Sequence, residues 1–133
     1  MRYLMTLMAA VLCMGILAGC AGGKIAGGFD KDEVLKEAKA AVDLVNEKDY
    51  ETLNSMMTQQ MADAGVTGKI EAAWDQLGLG EFKSYKTETV VGQKDEDGND
   101  IAVAVLVTEY ENASIQFQVA FDQEMKITGF YIK

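Results

Sequence analysis

Three spacings of apolar residues divide the chain. Residues 4–18 are continuously apolar except for Thr6 and Gly15. Between Val34 and Leu77, apolar positions recur every three or four residues, the period of a helix with one buried face. From Phe82 onward they recur every second residue, the period of a strand with one buried face.

The helical stretch predicts three helices. Asp30 stands three residues before Glu33, with Phe29 and Val34 around them, the spacing of a capping box and hydrophobic staple. Val34, Ala38, Ala41, Val42 and Val45 then share one face, and residues 46–48 turn the chain. Asp49 caps a second helix with Tyr50 at its start and Leu53, Met56, Met57, Met61 and Ala64 as its stripe. Gly65 ends it. Thr67 caps a third, short helix whose inner face is Ile70, Ala73, Trp74 and Leu77, and Gly78 and Gly80 stop it.

Four strands follow. Residues 82–93 place Tyr85, Thr87, Thr89 and Val91 on one face. Residues 94–100 form a charged hairpin loop containing Asp97-Gly98. Residues 101–110 are apolar on both faces, which predicts a central strand: Ile101, Val103, Val105 and Val107 on one, Ala102, Ala104 and Leu106 on the other. The small side of this strand, Ala102 and Ala104, is expected to be the semi-exposed outer face of the sheet. Residues 114–121 alternate strictly, with Ile115, Phe117, Val119 and Phe121 inward. After a turn at 122–125, residues 126–133 are the last strand. The prediction is an α+β fold, with three N-terminal helices packed on a curved four-stranded antiparallel meander sheet.

The leader changes where this domain is expected. Its apolar run is near the length of a signal-peptide core and short of the ~20 residues that span a bilayer. Leu17-Ala18-Gly19-Cys20 resembles the lipobox of bacterial lipoprotein signal peptides. That resemblance implies cleavage before Cys20 and a diacylglyceryl group on its sulfur, and two acyl chains anchor stably. The expected organisation is a signal peptide over residues 1–19, a lipidated cysteine and Gly-rich tether over 20–28, and a domain over 29–133. A flexible tether of eight residues spans ~15 Å. The partner implied by Cys20 is the lipid bilayer, and the location is the extracytoplasmic face of the cell membrane.

Composition narrows the chemistry. The chain of 133 residues has two cysteines, Cys13 and Cys20, no histidine and no proline. Cys13 leaves with the leader and Cys20 is alkylated, so no thiol remains for a disulfide, a metal or catalysis. Missing histidine removes the commonest general base and metal ligand. The net charge of −9, or −10 once Arg2 is cleaved away, argues against nucleic acid as a partner. Asp95, Asp97 and Asn99 resemble the start of an EF-hand loop. Asp100 stands where glycine is needed and Leu106 where a bidentate glutamate belongs, so the loop reads as a solvated turn. No cofactor and no metal ion are expected.

A family resemblance covers most of the remainder. "AAWDQLGLGEFKS" (72–84) and "IQFQVAFDQEMKITGFYI" (115–132) resemble uncharacterised bacterial domains found in lipoproteins and fused to hydrolases. Trp74, Leu77, Gly78 and Phe82 match the helix-to-strand motif. Phe121, Asp122, Ile127 and Gly129 match the closing hairpin. The resemblance implies a reduced nuclear transport factor 2-like fold, the cystatin-like cone of the steroid isomerases. It supplies no catalytic residue. The full cone has a hairpin between its second and third helices, where this chain has only residues 65–69.

Three readings of function follow. The leading one is a non-enzymatic domain that binds a small apolar ligand or an envelope protein. Its candidate pocket, between helices and sheet, is lined by Trp74, Phe117, Phe121, Met57 and Tyr85. A homodimer through the outer sheet face belongs to the same class, by analogy with the wider fold. The alternative is a carboxylate-based isomerase or hydrolase, with candidates Glu88, Glu109, Tyr85, Tyr110 and Tyr131. A third reading is a purely structural envelope protein. The interior discriminates: an inward carboxylate in a cavity favours the enzyme, a dry cavity the ligand, and a filled interior with an apolar outer sheet face favours contact with a protein.

Overall fold

The computed structural model describes residues 24–133. The apolar leader, Cys20 and residues 21–23 lie outside the described residues. The described tether is not free chain. Strand β1 (Lys24–Ile25) pairs antiparallel with β2 (Phe29–Asp30), so the segment doubles back on the domain. Gly27 turns it at φ +91, and a Cβ there would lie 2.7 Å from the Asp100 Cβ. Only glycine meets both conditions.

Helix α1 (Lys31–Glu47) starts where the sequence places it. The Asp30 Oδ1 accepts backbone N–H groups from Asp32 at 2.9 Å and Glu33 at 3.3 Å. All five stripe residues, Val34, Ala38, Ala41, Val42 and Val45, are fully buried. Each valine contributes about 1.5–3 kcal/mol by leaving water. Lys48 closes the helix in the left-handed region.

The expected second helix is two. Helix α2 (Tyr50–Ser55) ends early and α3 (Gln59–Asp63) begins afresh. Between them the chain behaves as an extra strand. The Ile127 N–H donates to the Met56 carbonyl at 2.8 Å, and the Thr58 N–H donates to the Ile127 carbonyl at 2.9 Å. These long-range bonds take backbone groups that a continuous helix would use. The Thr58 hydroxyl then accepts the Met61 N–H and restarts the helix. Helix α4 (Val66–Leu77) has Gly65 as its N-cap, so Thr67 lies inside it rather than capping it. Gly78 stops it at φ +57. Of its predicted inner face, Ile70 is buried and Trp74 half-buried, while Ala73 and Leu77 are exposed. The architecture is α+β with four helices rather than three.

The sheet is the predicted antiparallel meander, β3 (Phe82–Lys94), β4 (Asp100–Tyr110), β5 (Ser114–Phe121) and β6 (Ile127–Ile132), in that spatial order. Register settles the faces. Ala102, Ala104 and Leu106 stand opposite Phe121, Val119 and Phe117, and all six are fully buried beneath the helices. The expectation that Ala102 and Ala104 form the outer face is therefore reversed. Ile101, Val103, Val105 and Val107 face outward, beside Gln116, Gln118 and Ala120. Large phenylalanines on β5 leave room only for small residues across the ladder, which is why the alanines are inside. Strand β3 also departs from simple alternation. Irregularities between Phe82 and Ser84 and between Tyr85 and Thr87 turn Tyr85 toward the helices and Thr87, Thr89 and Val91 away.

Candidate functional site

The five side chains expected to line a pocket sit in or against the core. Phe117 and Phe121 are fully buried and Met57 is 5% exposed. Trp74 is half-buried and brings α4 onto the sheet, its ring centroid 5.7 Å from Phe117 and 5.5 Å from Tyr110. Phe130 reaches Phe117 from β6 at 6.0 Å. These rings fill the space between helices and sheet. The edge of Trp74 lines a shallow hollow of about 220 Å³ with Lys48, Asp75 and Gly78. Tyr85 stands apart at the β3 margin, 5.1 Å from Phe82 and beneath the Lys39 ammonium group.

The candidate acid–base groups are not gathered into one place. Glu88 pairs with Lys39 at 2.6 Å, each side chain about one-third exposed. Glu109 is exposed on the outer face, opposite Ser114. Burial pushes the Tyr85 phenol upward, with the Asp43 carboxylate adding to it. Burial pushes Tyr110 up to about 12, against the pull of its hydrogen bond to the Asn46 Oδ1 at 2.6 Å. Both phenols are therefore protonated near neutrality; Tyr110 donates to Asn46, while the buried Tyr85 hydroxyl has no partner among the described residues. Thr108 is the polar residue within the described core, its hydroxyl donating to the Ile115 carbonyl at 2.8 Å. Tyr131 is 61% exposed on the other side of the sheet.

The outer side of the sheet carries a groove of about 660 Å³. Helix α3 stands beside the β6 edge and makes one wall with Gln60, Met61 and Ala64. The β3–β4 hairpin makes the other, from Gln93 to Asp97. The floor is Ile101, Val103, Ala120 and Gly129, and Tyr131 and Gln118 lie at one side. The hairpin wall is held by its own polar groups. The Asp95 Oδ1 accepts backbone N–H groups from Asp97 and Asn99, both at 2.9 Å. The Asn99 N–H leads the bonds that hold the Asp95 carboxyl below its ordinary range. Lys94 pairs with Asp100 at 2.6 Å. Among the described residues no cluster of three potential metal ligands occurs, and no helix is long and apolar enough to cross a membrane.

Sequence reasoning missed this groove. It depends on α3 separating from α2 and on the face assignment of β4. One usable signal was present: Gln116 and Gln118 point outward from β5, and whichever β4 residues pair with them must share that face.

Comparison with known proteins places the fold in context. A protein from Ruminococcus gnavus ATCC 29149, solved by NMR, superposes with a TM-score of 0.71 at 25% identity. The match covers 83% of this chain and 96% of that one. No curated protein matches the chain. Residues 38–130 match the family described as "Protein of unknown function (DUF3887)". That span runs from the middle of α1 to the last strand, so it includes the helix break, the meander and both walls of the groove. The chain belongs to this family, DUF3887.

Proposed function

We propose that the protein is a lipid-anchored, extracytoplasmic binding domain without catalytic activity, built on a reduced nuclear transport factor 2-like cone. Cys20 carries the diacylglyceryl anchor, and the domain holds its ligand on the outer face of the sheet. The observation that carries the binding reading is the contrast between the two sides of that sheet. The inner side is filled by Phe117, Phe121, Leu106 and the helix stripes. The outer side has a groove of about 660 Å³, within the range of small-ligand sites. The carboxylates on which an isomerase or hydrolase would draw support that alternative poorly, because Glu88 is neutralised by Lys39 and Glu109 lies on the opposite face. The interior pocket gives way to the outer groove as the binding surface for the same reason.

Native mass spectrometry of the full chain, released gently from its own membranes, tests the reading. The expected spectrum contains the polypeptide with an additional bound mass that is lost on activation in the gas phase. A clean, empty monomer overturns it.

A further inference from the structure

The outer groove combines neutral polar side chains with the charged residues of the β3–β4 hairpin, around a floor of small and aliphatic residues. A Cβ built on Gly129 would lie 3.3 Å from both the Ala120 Cβ and the Tyr131 Cε2. The Tyr131 ring therefore leans along β6 against Gly129 while most of its surface stays open. Gln118 faces Tyr131 across the β5–β6 ladder. Gln60 from α3 and Gln93 from the end of β3 bring two further carboxamides to the walls. Among the described residues, none of these three carboxamides makes a side-chain hydrogen bond.

The charged groups at the same site are differently placed. Lys94 is taken up by Asp100, and Asp95 by the amides of its own loop. Glu96 and Asp97 remain on the hairpin wall as free negative charge. An anionic ligand would meet repulsion there with no free cation among the lining residues. A purely apolar ligand would cover three carboxamides and leave them without partners, at the cost of their hydration. A carboxamide both donates and accepts, which suits hydroxyl groups that do the same. An open tyrosine ring supplies a flat, apolar surface with a polar rim, which suits the C–H face of a sugar ring.

The geometry points to a neutral saccharide as the ligand of this groove, with Tyr131 as the stacking platform and Gln60, Gln93 and Gln118 as its hydrogen-bonding groups. This rests on the outer-face binding reading given above and assigns its ligand class. Ala120 and Gly129 on the floor are small, so a larger side chain there fills the groove without removing any polar group.

The test uses the full chain in a sugar-free non-ionic detergent, with ¹⁵N amide shifts followed during titration. The probes are neutral oligomers of glucose and of N-acetylglucosamine, an uncharged extended peptide, and a fatty acid. Saturable shifts centred on Gly129, Tyr131 and Gln118 with a saccharide are expected. Tyr131→Ala should weaken that binding about five- to tenfold, the size of a lost aromatic contact, while Tyr131→Phe retains it. Ala120→Leu should abolish it while the remaining amide spectrum stays native-like. If neither saccharide series produces saturable shifts at millimolar concentration, the assignment is overturned. If the peptide or fatty acid moves the same residues instead, the saccharide class falls and the outer-face reading stands. If no probe reaches the groove and the native spectrum is also empty, both fall.

Discussion

Tyr110 shows how one side chain can tie distant parts of this chain together. It ends β4, is 3% exposed, packs against Trp74 and Phe82, and donates its hydroxyl to Asn46 on α1. Its phenol is pushed up to about 12 by burial, from an ordinary value near 10. The folded state therefore favours the neutral form. The stability this contributes is fully present below about pH 10 and is lost as pH rises toward 12, because the unfolded chain loses the proton first. Tyr85 is shifted in the same direction and adds to the slope. Urea midpoints measured between pH 9 and pH 12 should fall more steeply for the natural chain than for Tyr110→Phe. Near neutral pH that variant should be less stable by about 0.5–1.5 kcal/mol for the lost hydrogen bond. Identical slopes would contradict the burial of this phenol.

At the scale of elements, the decisive event is the break between α2 and α3. Met56, Met57 and Met61 continue a helical stripe through it, and nothing in the local pattern interrupts them. The interruption comes from β6, whose Ile127 binds the backbone on both sides of Met57. Thr58 then acts as a true N-cap, while Thr67, which looks like one, sits inside α4 with its hydroxyl toward the Asn54 Oδ1. Thr58→Ala should destabilise the domain by about 1 kcal/mol and speed exchange of the Met61 amide, and Thr67→Ala should do markedly less. Denaturant midpoints for the pair decide the matter. The reverse order would restore the long second helix that periodicity alone suggests. The first helix is the contrasting case. Its cap at Asp30 and its stripe are local, and both were legible before any tertiary contact was known.

For the whole molecule, the position of the domain relative to the membrane rests on Cys20. If the lipid anchor is the tether, fractionation of cells carrying Cys20→Ser should move the protein from the membrane pellet to the soluble extracytoplasmic fraction. Unchanged retention in the membrane would exclude lipidation as the anchor. The paired Lys24–Ile25 segment begins four positions after Cys20, and four residues reach about 14 Å at most. The domain body would then stand close to the bilayer, with the acidic β3–β4 hairpin near the point of attachment, since Gly27 abuts Asp100. Electrostatic repulsion from an anionic surface would hold that hairpin off by about a Debye length, ~8 Å at physiological salt.

By itself, the order of residues determined what depends on neighbours a few positions apart: the capped start of α1, the glycine stop of α4 at Gly78, the hairpin at Asp97-Gly98 and the period-two meander. It also determined the fold class, because helices and strands are segregated along the chain. Only the tertiary structure decided which face of β4 is inside, since both faces are apolar and the choice is made by the phenylalanines of β5. The break between α2 and α3 was likewise decided at long range, by β6. The groove depends on both decisions, and neither is written in the spacing of apolar residues, because that spacing records whether a side chain is buried and not which neighbour buries it.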